Sequence, residues 1–269
     1  MQKKLGIIAG SGALPVSVVQ ACQKAKRPFC VIGLKGFVNK KDFPAKIPFF
    51  ECRLGAAGRL IQTLKKEKVS EIILLGGVRR PSVWEIFPDF TALKLLSKVT
   101  FSKGDDGLLR SIIRQIEAFG FTVVGVSSVL PELLTPKGIL GSVQPNAHDF
   151  QDIKRGTEVA HLLGKADVGQ AVIVQQGLVL ALEGIEGTAA LIKRSAPLKR
   201  KGKAPVLVKM CKPTQDRRVD LPTIGVQTIQ QAHQAGIKGI ALQAGTTVIA
   251  DVSKTIEQAD KLNIFLVGI

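Results

Sequence analysis

Two carboxylates, three cations and a carboxamide fall within nine residues, 212–220, of one stretch of the chain. Pro213 and Pro222 restrict the backbone near its two ends. The carboxylates, Asp216 and Asp220, offer the hard oxygen ligands that a divalent cation prefers, and neighbouring guanidinium groups suit phosphate oxygens. The stretch is therefore a candidate site for a metal-bound phosphate ester. A solvated loop whose charges neutralise each other is the alternative.

The composition restricts the class of partner. The 269 residues fit one large domain or two modest ones, and a hydrophobic fraction of 45% supports a packed core. A net charge of +17 predicts an anionic partner, whether phosphate, nucleic acid or a lipid surface. Only 5% of the residues are aromatic and none is Tyr, which disfavours single-stranded nucleic acid because its bases stack on aromatic side chains.

The first glycine turn follows a buried strand. The apolar run at 5–9 predicts a parallel strand, and Gly10, Ser11 and Gly12 lead from it into a predicted helix. Such a turn directs backbone N–H groups at an anion. Pro15 replaces the third glycine of the dinucleotide fingerprint, and no ribose-binding acid follows the second predicted strand. The pattern favours a phosphate or sugar-phosphate site over NAD, with a turn that binds nothing as the alternative.

A second glycine turn follows the strand predicted over 71–75. Gly76 and Gly77 permit close backbone approach, and Arg79 and Arg80 come just after them. The carboxyl ends of strands are where open α/β sheets bind their ligands. Both arginines are read either as anion-binding residues or as surface charges, and a pairing of the two glycine turns would favour the first reading.

An acidic pair precedes a predicted amphipathic helix. Asp105 and Asp106 follow Lys103 and are flanked by glycines. One aspartate is expected to serve as the helix N-cap. The other is then a candidate ligand for a metal or a sugar hydroxyl.

The order of elements predicts an α/β protein of two domains. Alternating strands and helices over residues 1–131 predict a Rossmann-like N-terminal domain with a parallel sheet. Residues 132–139 have the composition of a linker, and 140–269 are predicted to form a distinct α/β catalytic domain. In that domain Glu183 and Glu186 follow a predicted hairpin and are candidates for catalysis. Capping by Thr188 and a solvated Glu186 explain the same pattern without chemistry.

Other catalytic classes are disfavoured. His148, His161 and His233 are too scattered for a zinc site, and the chain has no G-x-S-x-G elbow or Walker A loop. Acids and cations at loop positions remain, which suits metal-assisted attack of water on a phosphate ester.

The sequence predicts a cytoplasmic protein. The four cysteines lack C-x-x-C spacing and read as buried, reduced thiols. No signal peptide and no apolar run of about 18 residues is evident. The basic stretch 193–203 is either a solvated loop or a contact for anionic lipid headgroups, worth roughly 1 kcal/mol per cation.

Five motifs occur together and in order: G-x-I-A-G-x-G-x-L-P at 6–15, K-G-D-D at 103–106, G-Q at 169–170, E-G-x-x-G-T at 183–188, and K-P-x-Q-x-x-R-x-D-L-P-T-I-G at 212–225. This set resembles the LpxI family, the UDP-2,3-diacylglucosamine diphosphatases of lipid A synthesis. The resemblance covers essentially the whole chain, and the last motif is its most specific part.

The resemblance implies a Mg²⁺-dependent hydrolysis of UDP-2,3-diacylglucosamine to 2,3-diacylglucosamine 1-phosphate (lipid X) and UMP. It implies a cytoplasmic enzyme in peripheral contact with the inner face of the inner membrane. Asp220 is the expected metal ligand or water-positioning acid, and Asp216 is the second catalytic candidate. The residues expected to bind substrate are Gly10, Ser11, Gly12, Gly76, Gly77, Arg79, Lys103, Asp105, Asp106, Gln170, Glu183, Gly184, Thr188, Lys212, Gln215 and Arg218.

Two rival functions stay open at this point. A non-hydrolytic nucleotide-sugar binding or regulatory protein would keep the glycine turns without needing Asp220. An RNA-binding protein would use the basic excess, and its affinity would fall steeply with salt. No nucleic-acid partner is expected, and whether the chain forms a homo-oligomer is left open.

Overall fold

The computed structural model describes residues 2–78, 89, 104–213 and 215–269. The chain forms two compact units. Unit 1 comprises Met1–Pro131 and Asp216–Asp220, and unit 2 comprises Glu132–Gln215 and Leu221–Ile269. The sequence predicts a C-terminal domain over 140–269, whereas the segment Asp216–Asp220 belongs to unit 1.

Unit 1 is built on a five-stranded parallel sheet. Its strands are β1 Leu5–Ala9, β2 Phe29–Leu34, β3 Phe49–Cys52, β4 Glu71–Leu75 and β5 Thr122–Val123. The strand order is β3-β2-β1-β4-β5, and every pairing is parallel. This is the Rossmann order, in which the chain changes direction across the sheet between β1 and β4. The predicted Rossmann-like parallel sheet is confirmed.

Helices of unit 1 cover the sheet. They are α1 Leu14–Lys24, α2 Ala57–Lys66, α3 Gly104–Ala118 and the short α4 Val126–Val129. Strand β1 is completely buried, and β4 is buried at Ile72, Ile73 and Leu75, which explains the apolar runs in both. Gly6 allows α2 to pack closely on β1, because a Cβ there would lie 2.7 Å from Cδ2 of Leu64.

Unit 2 contains a mixed six-stranded sheet in the order β6-β13-β11-β9-β7-β8. Its strands are β6 Gly138–Leu140, β7 Ala171–Gln175, β8 Leu178–Leu182, β9 Val206–Lys209, β11 Gly239–Leu242 and β13 Phe265–Gly268. The three central strands are parallel, and β7 and β8 form the predicted hairpin. A separate parallel pair is formed by β10 Thr223–Ile224 and β12 Val248–Ile249.

Four helices complete unit 2: α5 Ala147–Lys165, α6 Gly187–Ser195, α7 Val226–Gln234 and α8 Val252–Lys261. An apolar cluster that includes Ile173, Leu207, Ile240 and Leu266 forms its main core. These side chains come from the four neighbouring strands β7, β9, β11 and β13, so the core runs across the middle of the sheet.

The residues predicted to be a linker are an ordered part of unit 2. Thr135 is buried, and its hydroxyl donates to the carbonyl of Thr247 at 3.0 Å. Strand β6 lies at the edge of the sheet and pairs antiparallel with β13. Pro131, Pro136 and Gly138 gave the segment the composition of a linker, but Gly138 is itself the first residue of β6.

The four cysteines are free and buried, as predicted. Burial raises the pKa of the Cys30 thiol to about 11 and also raises the pKa of Cys22 and Cys52. These thiols therefore stay protonated and unreactive at neutral pH. Within the described ranges, no helix has both the length and the apolar character needed to cross a membrane.

Candidate functional site

The two glycine turns of unit 1 lie against each other. The N–H of Ser11 donates to the carbonyl of Gly77 at 2.9 Å, and the N–H of Gly77 donates back to the carbonyl of Ser11 at 2.9 Å. The Ser11 hydroxyl also donates to the Gly77 carbonyl at 2.8 Å. The two glycine turns are therefore paired. It lies where β1 and β4 end side by side, at the topological switch point that binds ligands in open α/β sheets.

Glycine is required at this contact by its geometry. Gly76 has a φ of +86°, and a Cβ there would lie 2.4 Å from the carbonyl oxygen of Ser11. A Cβ on Gly10 would lie 2.7 Å from the carbonyl oxygen of Gly77. Since the Ser11 and Gly77 amides are bonded to each other, an anion at this edge would use the N–H groups just beyond Gly12, at Ala13 and Leu14. Pro15 has no N–H, and the N–H groups of Val16 and Ser17 donate to the carbonyl of Ala13.

Several predicted residues of unit 1 are not placed by the structure. Arg79 and Lys103 lie outside the described residues. Helix α3 is described from Gly104 onward, so Asp105 and Asp106 both lie within it. The expectation that one aspartate precedes the helix as its N-cap is therefore wrong.

Asp216 and Arg218 form a two-pronged ion pair. The Nε of Arg218 donates to Oδ1 of Asp216 at 3.0 Å, and its Nη2 donates to Oδ2 at 2.8 Å. Its Nη1 donates to Oε1 of Glu117 at 2.8 Å. The hydrogen bond from Arg218 is the main cause that lowers the pKa of Asp216, and the same bond raises the pKa of Arg218.

This pairing indicates what each of the two residues can do. Asp216 stays ionised at neutral pH with both carboxylate oxygens bonded to Arg218, so it is poorly suited to take up a proton. In this arrangement Arg218 holds two carboxylates. Its predicted contact with phosphate would require it to exchange one of them and stays a prediction.

Asp220 lies at the end of the same tight turn. The N–H groups of Val219 and Asp220 both donate to the carbonyl of Asp216, at 3.1 and 3.2 Å. Val219 packs against the apolar core of unit 1. Backbone of this turn also comes close to Gly125, where a Cβ would lie 3.0 Å from Cα of Arg218. Asp220 is half-buried, and its backbone is fixed by the turn that Asp216 and Arg218 stabilise.

Unit 2 contains a buried chain of polar side chains. Oε1 of Glu183 accepts from the Thr188 hydroxyl at 2.6 Å, and the same hydroxyl oxygen accepts from Nζ of Lys209 at 2.5 Å. Glu183 and Lys209 are 5% and 4% exposed. Both charges are therefore kept in a low-dielectric setting, joined through one hydroxyl group. Sequence reasoning missed Lys209, although a lysine in the apolar run Val206–Lys209 was a usable signal.

The start of α6 differs from the prediction. The helix begins at Gly187, so that Glu186 occupies the N-cap position, and the Thr188 hydroxyl is bonded to Glu183 instead of capping the helix. Glu186 is not merely solvated, because Nη2 of Arg194 donates to its Oε1 at 2.7 Å. This hydrogen bond lowers the pKa of Glu186. The capping interpretation of Thr188 is wrong.

Gln170 presents a buried acceptor beside this chain. Its N–H donates to Oε2 of Glu183 at 3.0 Å, and its Oε1 is buried without a hydrogen-bond partner among the described residues. Gly169 makes this approach feasible, because a Cβ there would lie 2.1 Å from the carbonyl oxygen of Glu183. A buried, unsatisfied carboxamide oxygen is uncommon and suits a donor group of a ligand. Gly184 directly follows Glu183 and lies in the same loop.

Lys212 and Gln215 shape the end of unit 2 that precedes Asp216. Nζ of Lys212 pairs with Oδ1 of Asp167 at 2.8 Å. Oε1 of Gln215 accepts from the N–H of Lys212 at 3.1 Å and from Sγ of Cys211 at 3.3 Å. Gln215 is buried, so these contacts fix the turn. The roles of Lys212 and Gln215 in substrate binding stay predictions.

The carboxylates of the turn 216–220 are chemically compatible with a magnesium ion. Within the described part of the chain, no three His, Cys, Asp or Glu side chains come together as a metal cluster. Mg²⁺ does not require one, since it commonly binds one or two carboxylates together with phosphate oxygens and water. Both carboxylate oxygens of Asp216 are bonded to Arg218, and the role of Asp220 as a metal ligand stays a prediction.

The Rossmann strand order of unit 1, with the paired glycine turns at its switch point, defines an α/β protein with a Rossmann-like unit. The model of the LpxI N-terminal domain matches residues 4–133, and that of the LpxI C-terminal domain matches residues 136–267. The chain belongs to the LpxI family. It is 39% identical over 275 residues to the UDP-2,3-diacylglucosamine pyrophosphatase LpxI of Caulobacter vibrioides, covering 99% of this chain and 98% of that protein.

Two of the solved structures that match this chain show a distant likeness to it. WbmG of Bordetella bronchiseptica, in complex with NAD and UDP, is 9% identical with a TM-score of 0.34, covering 98% of this chain and 96% of that one. The UDP-glucose 4-epimerase of Thermus thermophilus, in complex with NAD, is 14% identical with a TM-score of 0.30, covering 54% and 41%. Such scores say nothing about a ligand of this chain, and its fold assignment depends on its own strand order.

Proposed function

We propose that this protein hydrolyses the diphosphate of UDP-2,3-diacylglucosamine in lipid A synthesis, releasing 2,3-diacylglucosamine 1-phosphate (lipid X) and UMP. The observation that carries the proposal is the match to a UDP-2,3-diacylglucosamine pyrophosphatase along 99% of the chain. Both family models, which together span residues 4–133 and 136–267, support it. The substrate carries a diphosphate and a lipid, which agrees with a net charge of +17.

Asp220 is the residue to which we assign the chemistry, as a metal ligand or as the acid that orients the attacking water. Mg²⁺ held by Asp220 would neutralise diphosphate charge and polarise the scissile bond. Asp216 acts through Arg218, keeping the guanidinium and the turn in place. Phosphoryl-group transfer needs little covalent work from the protein, so positioning and charge stabilisation are the main contributions of these side chains.

Substrate binding is assigned to two sets of residues. In unit 1, the anion is assigned to the switch point of the sheet, beside the paired glycine turns and at the start of α1. In unit 2, the unsatisfied Oε1 of Gln170 accepts a hydrogen bond from a hydroxyl or N–H of the nucleotide sugar. Glu183 keeps Thr188 and Gln170 in position for this contact.

The substrate is anchored in a bilayer by its acyl chains, so the enzyme must work at a lipid surface. We therefore place the protein in the cytoplasm, in peripheral contact with the inner face of the inner membrane. Its charge favours such contact because anionic headgroups attract lysine and arginine side chains.

The test is release of UMP from UDP-2,3-diacylglucosamine in detergent micelles, with Mg²⁺ and with EDTA. The proposal predicts release with Mg²⁺ and its loss on chelation. Substrate binding without release under any divalent metal would contradict the proposal and favour the non-hydrolytic nucleotide-sugar binding protein. Release that persists in EDTA would refute the magnesium assignment alone.

A further inference from the structure

Strand β8 forms an apolar edge of unit 2. Within the described part of the chain it pairs with β7 alone, and its sequence, L-V-L-A-L, contains no charged residue. Leu178 and Leu182, at its two ends, are 47% and 38% exposed. Ile185, three residues further on, is fully exposed. Soluble proteins usually protect such edges with charges, prolines or bulges, so an apolar edge suggests a partner.

Cations flank this edge at its start. The basic loop 199–203 contains four cations in five residues and is held beside the β7–β8 turn. Gln175, the last residue of β7, donates from Nε2 to the carbonyls of Arg200 at 2.8 Å and Lys203 at 2.6 Å, and its Oε1 accepts from the N–H of Arg200 at 2.8 Å. These bonds use the backbone of the loop, and all five of its residues are exposed.

Cations also flank the other end of the edge. Arg194 on α6 donates to the carbonyl of Leu182, the last residue of β8, and to Glu186. An open groove on this helix is lined by Glu186, Ala190, Lys193 and Arg194. The apolar residues Leu182 and Ile185 are thus next to exposed basic residues, as Leu178 is at the opposite end of the strand.

We propose that the β8 surface, formed by Leu178, Leu182, Ile185 and the basic loop 199–203, docks on an anionic lipid bilayer. The apolar side chains enter the headgroup region, and the cations bind anionic lipid phosphates. This inference rests on the proposed function, because an acylated substrate has to be reached from a bilayer surface. Stable attachment of a peripheral protein needs two signals, and this surface supplies both an apolar and a basic one.

Charge decides between a bilayer and other partners. A second copy of the chain, pairing β8 antiparallel with β8, would bring the basic loop 199–203 of each copy to the strand end that carries Lys193 and Arg194 in the other copy, where like charges repel. RNA would satisfy the cations but would leave Ile185 and Leu178 in water, and the chain has few aromatic residues for base stacking. An anionic bilayer is complementary to both parts of the surface.

The test is sedimentation of the full-length protein with vesicles of phosphatidylcholine, with and without phosphatidylglycerol. Lys199, Lys201 and Lys203 are changed together to Gln, and Ile185→Asp and Leu178→Asp are made separately. The matched controls are Lys24, Lys40 and Lys41 changed together to Gln, which removes the same charge from exposed sites in unit 1, and Leu162→Asp, at a 64% exposed leucine on α5. Thermal unfolding checks that every variant is folded.

Wild type should bind phosphatidylglycerol vesicles and leave phosphatidylcholine vesicles largely unbound. Each cation near an anionic surface is worth about 1 kcal/mol, so the triple Gln variant should bind about a hundredfold more weakly. Ile185→Asp should weaken binding by about tenfold or more, because it removes an aliphatic side chain that would be buried in the bilayer on docking. The controls should bind within about twofold of wild type, since no interfacial contact is removed.

Three results would overturn the docking proposal. Wild type could bind phosphatidylglycerol vesicles no more tightly than phosphatidylcholine vesicles, or the surface variants could bind vesicles as tightly as wild type. The third is that the control variants lose as much vesicle affinity as the surface variants. A dimer that Ile185→Asp converts to a monomer, with vesicle binding unchanged, would instead assign β8 to a second copy of the chain.

UMP release in detergent micelles separates this proposal from the proposed function. The surface variants should keep that activity, whereas absent micellar activity in a wild type that binds vesicles would refute the enzyme assignment alone.

Discussion

The buried chain from Lys209 through Thr188 to Glu183 should be sensitive to the loss of a single hydroxyl group. Thr188→Val keeps the shape of the side chain and removes both of its hydrogen bonds, at 2.6 Å to Glu183 and at 2.5 Å to Lys209. The ammonium and the carboxylate that lose this partner are each at least 95% buried. Water cannot replace the hydroxyl without opening the packing around it.

The expected loss in the free energy of unfolding follows from the number and the kind of hydrogen bonds that Thr188→Val removes. A hydrogen bond to a charged group contributes about 1.5–3 kcal/mol, so two lost bonds set an upper limit of about 3–6 kcal/mol. Glu183 retains its bond from the N–H of Gln170, and the two charges can relax toward each other. We therefore expect Thr188→Val to lower the free energy of unfolding by about 2–4 kcal/mol.

Urea denaturation followed by circular dichroism measures this change, with hydrogen exchange of β7 and β9 amides reporting on unit 2. Thr188→Ser keeps the hydroxyl and should cost only about 1 kcal/mol for the lost methyl group. Thr63→Val removes a solvent-exposed bond to the carbonyl of Arg59 and should stay within about 0.5 kcal/mol of wild type. Equal stability of Thr188→Val and Thr188→Ser would refute the buried chain as a stabilising element.

Three further outcomes follow from the structure. Asp216 has a pKa lowered below its ordinary value of 3.8 by Arg218, so its pairing stabilises the fold above that pH and is lost as pH falls through the depressed pKa. Urea midpoints between about pH 2 and pH 7 should thus fall more steeply in acid for wild type than for Asp216→Asn, and parallel curves would argue against the pair. Gly76→Ala should destabilise unit 1 by about 1–3 kcal/mol because of its positive φ and a carbonyl 2.4 Å from the new Cβ, as measured by thermal unfolding. Gly77→Ala, whose φ is not in the left-handed region, is the control, and equal losses would exclude backbone strain as the cause. Cys30, whose pKa burial raises to about 11, should react with a thiol reagent at about pH 8 only after unfolding, and fast labelling of the native protein would contradict its burial.

The architecture of unit 1 was predictable because the sequence patterns that indicate its strands and helices are local. Apolar runs such as Leu5–Ala9 and Glu71–Leu75 report burial on both faces of a parallel sheet, and the alternation with helices restricts the connections. The short edge strand Phe49–Cys52 escaped prediction, because its pattern is mostly half-buried or exposed. The same holds for Gly138–Leu140, which has a strand partner only through the distant β13.

The candidate site was predictable in its residue types but not in their partners. Arg218 reads in the sequence as a phosphate ligand, yet Glu117, 101 residues away, is one of its two acidic partners. Val219 joins the core of unit 1, a contact that no local pattern indicates. Lys209 is recognised as part of the buried polar chain only from its contact with Thr188 in the structure. Long-range packing determines these partners, whereas sequence periodicity reports only which face of an element is buried.

The central claim is that hydrolysis requires the Asp220 carboxylate. The most direct test is UMP release by Asp220→Ala in detergent micelles with Mg²⁺. Arg217→Ala, an exposed residue of the same turn, is the matched control, and equal thermal midpoints would show that both variants are folded. The account predicts that Asp220→Ala loses release by several orders of magnitude while Arg217→Ala stays within a fewfold of wild type. Release by Asp220→Ala at the wild-type rate would contradict it and would remove this carboxylate from the chemistry.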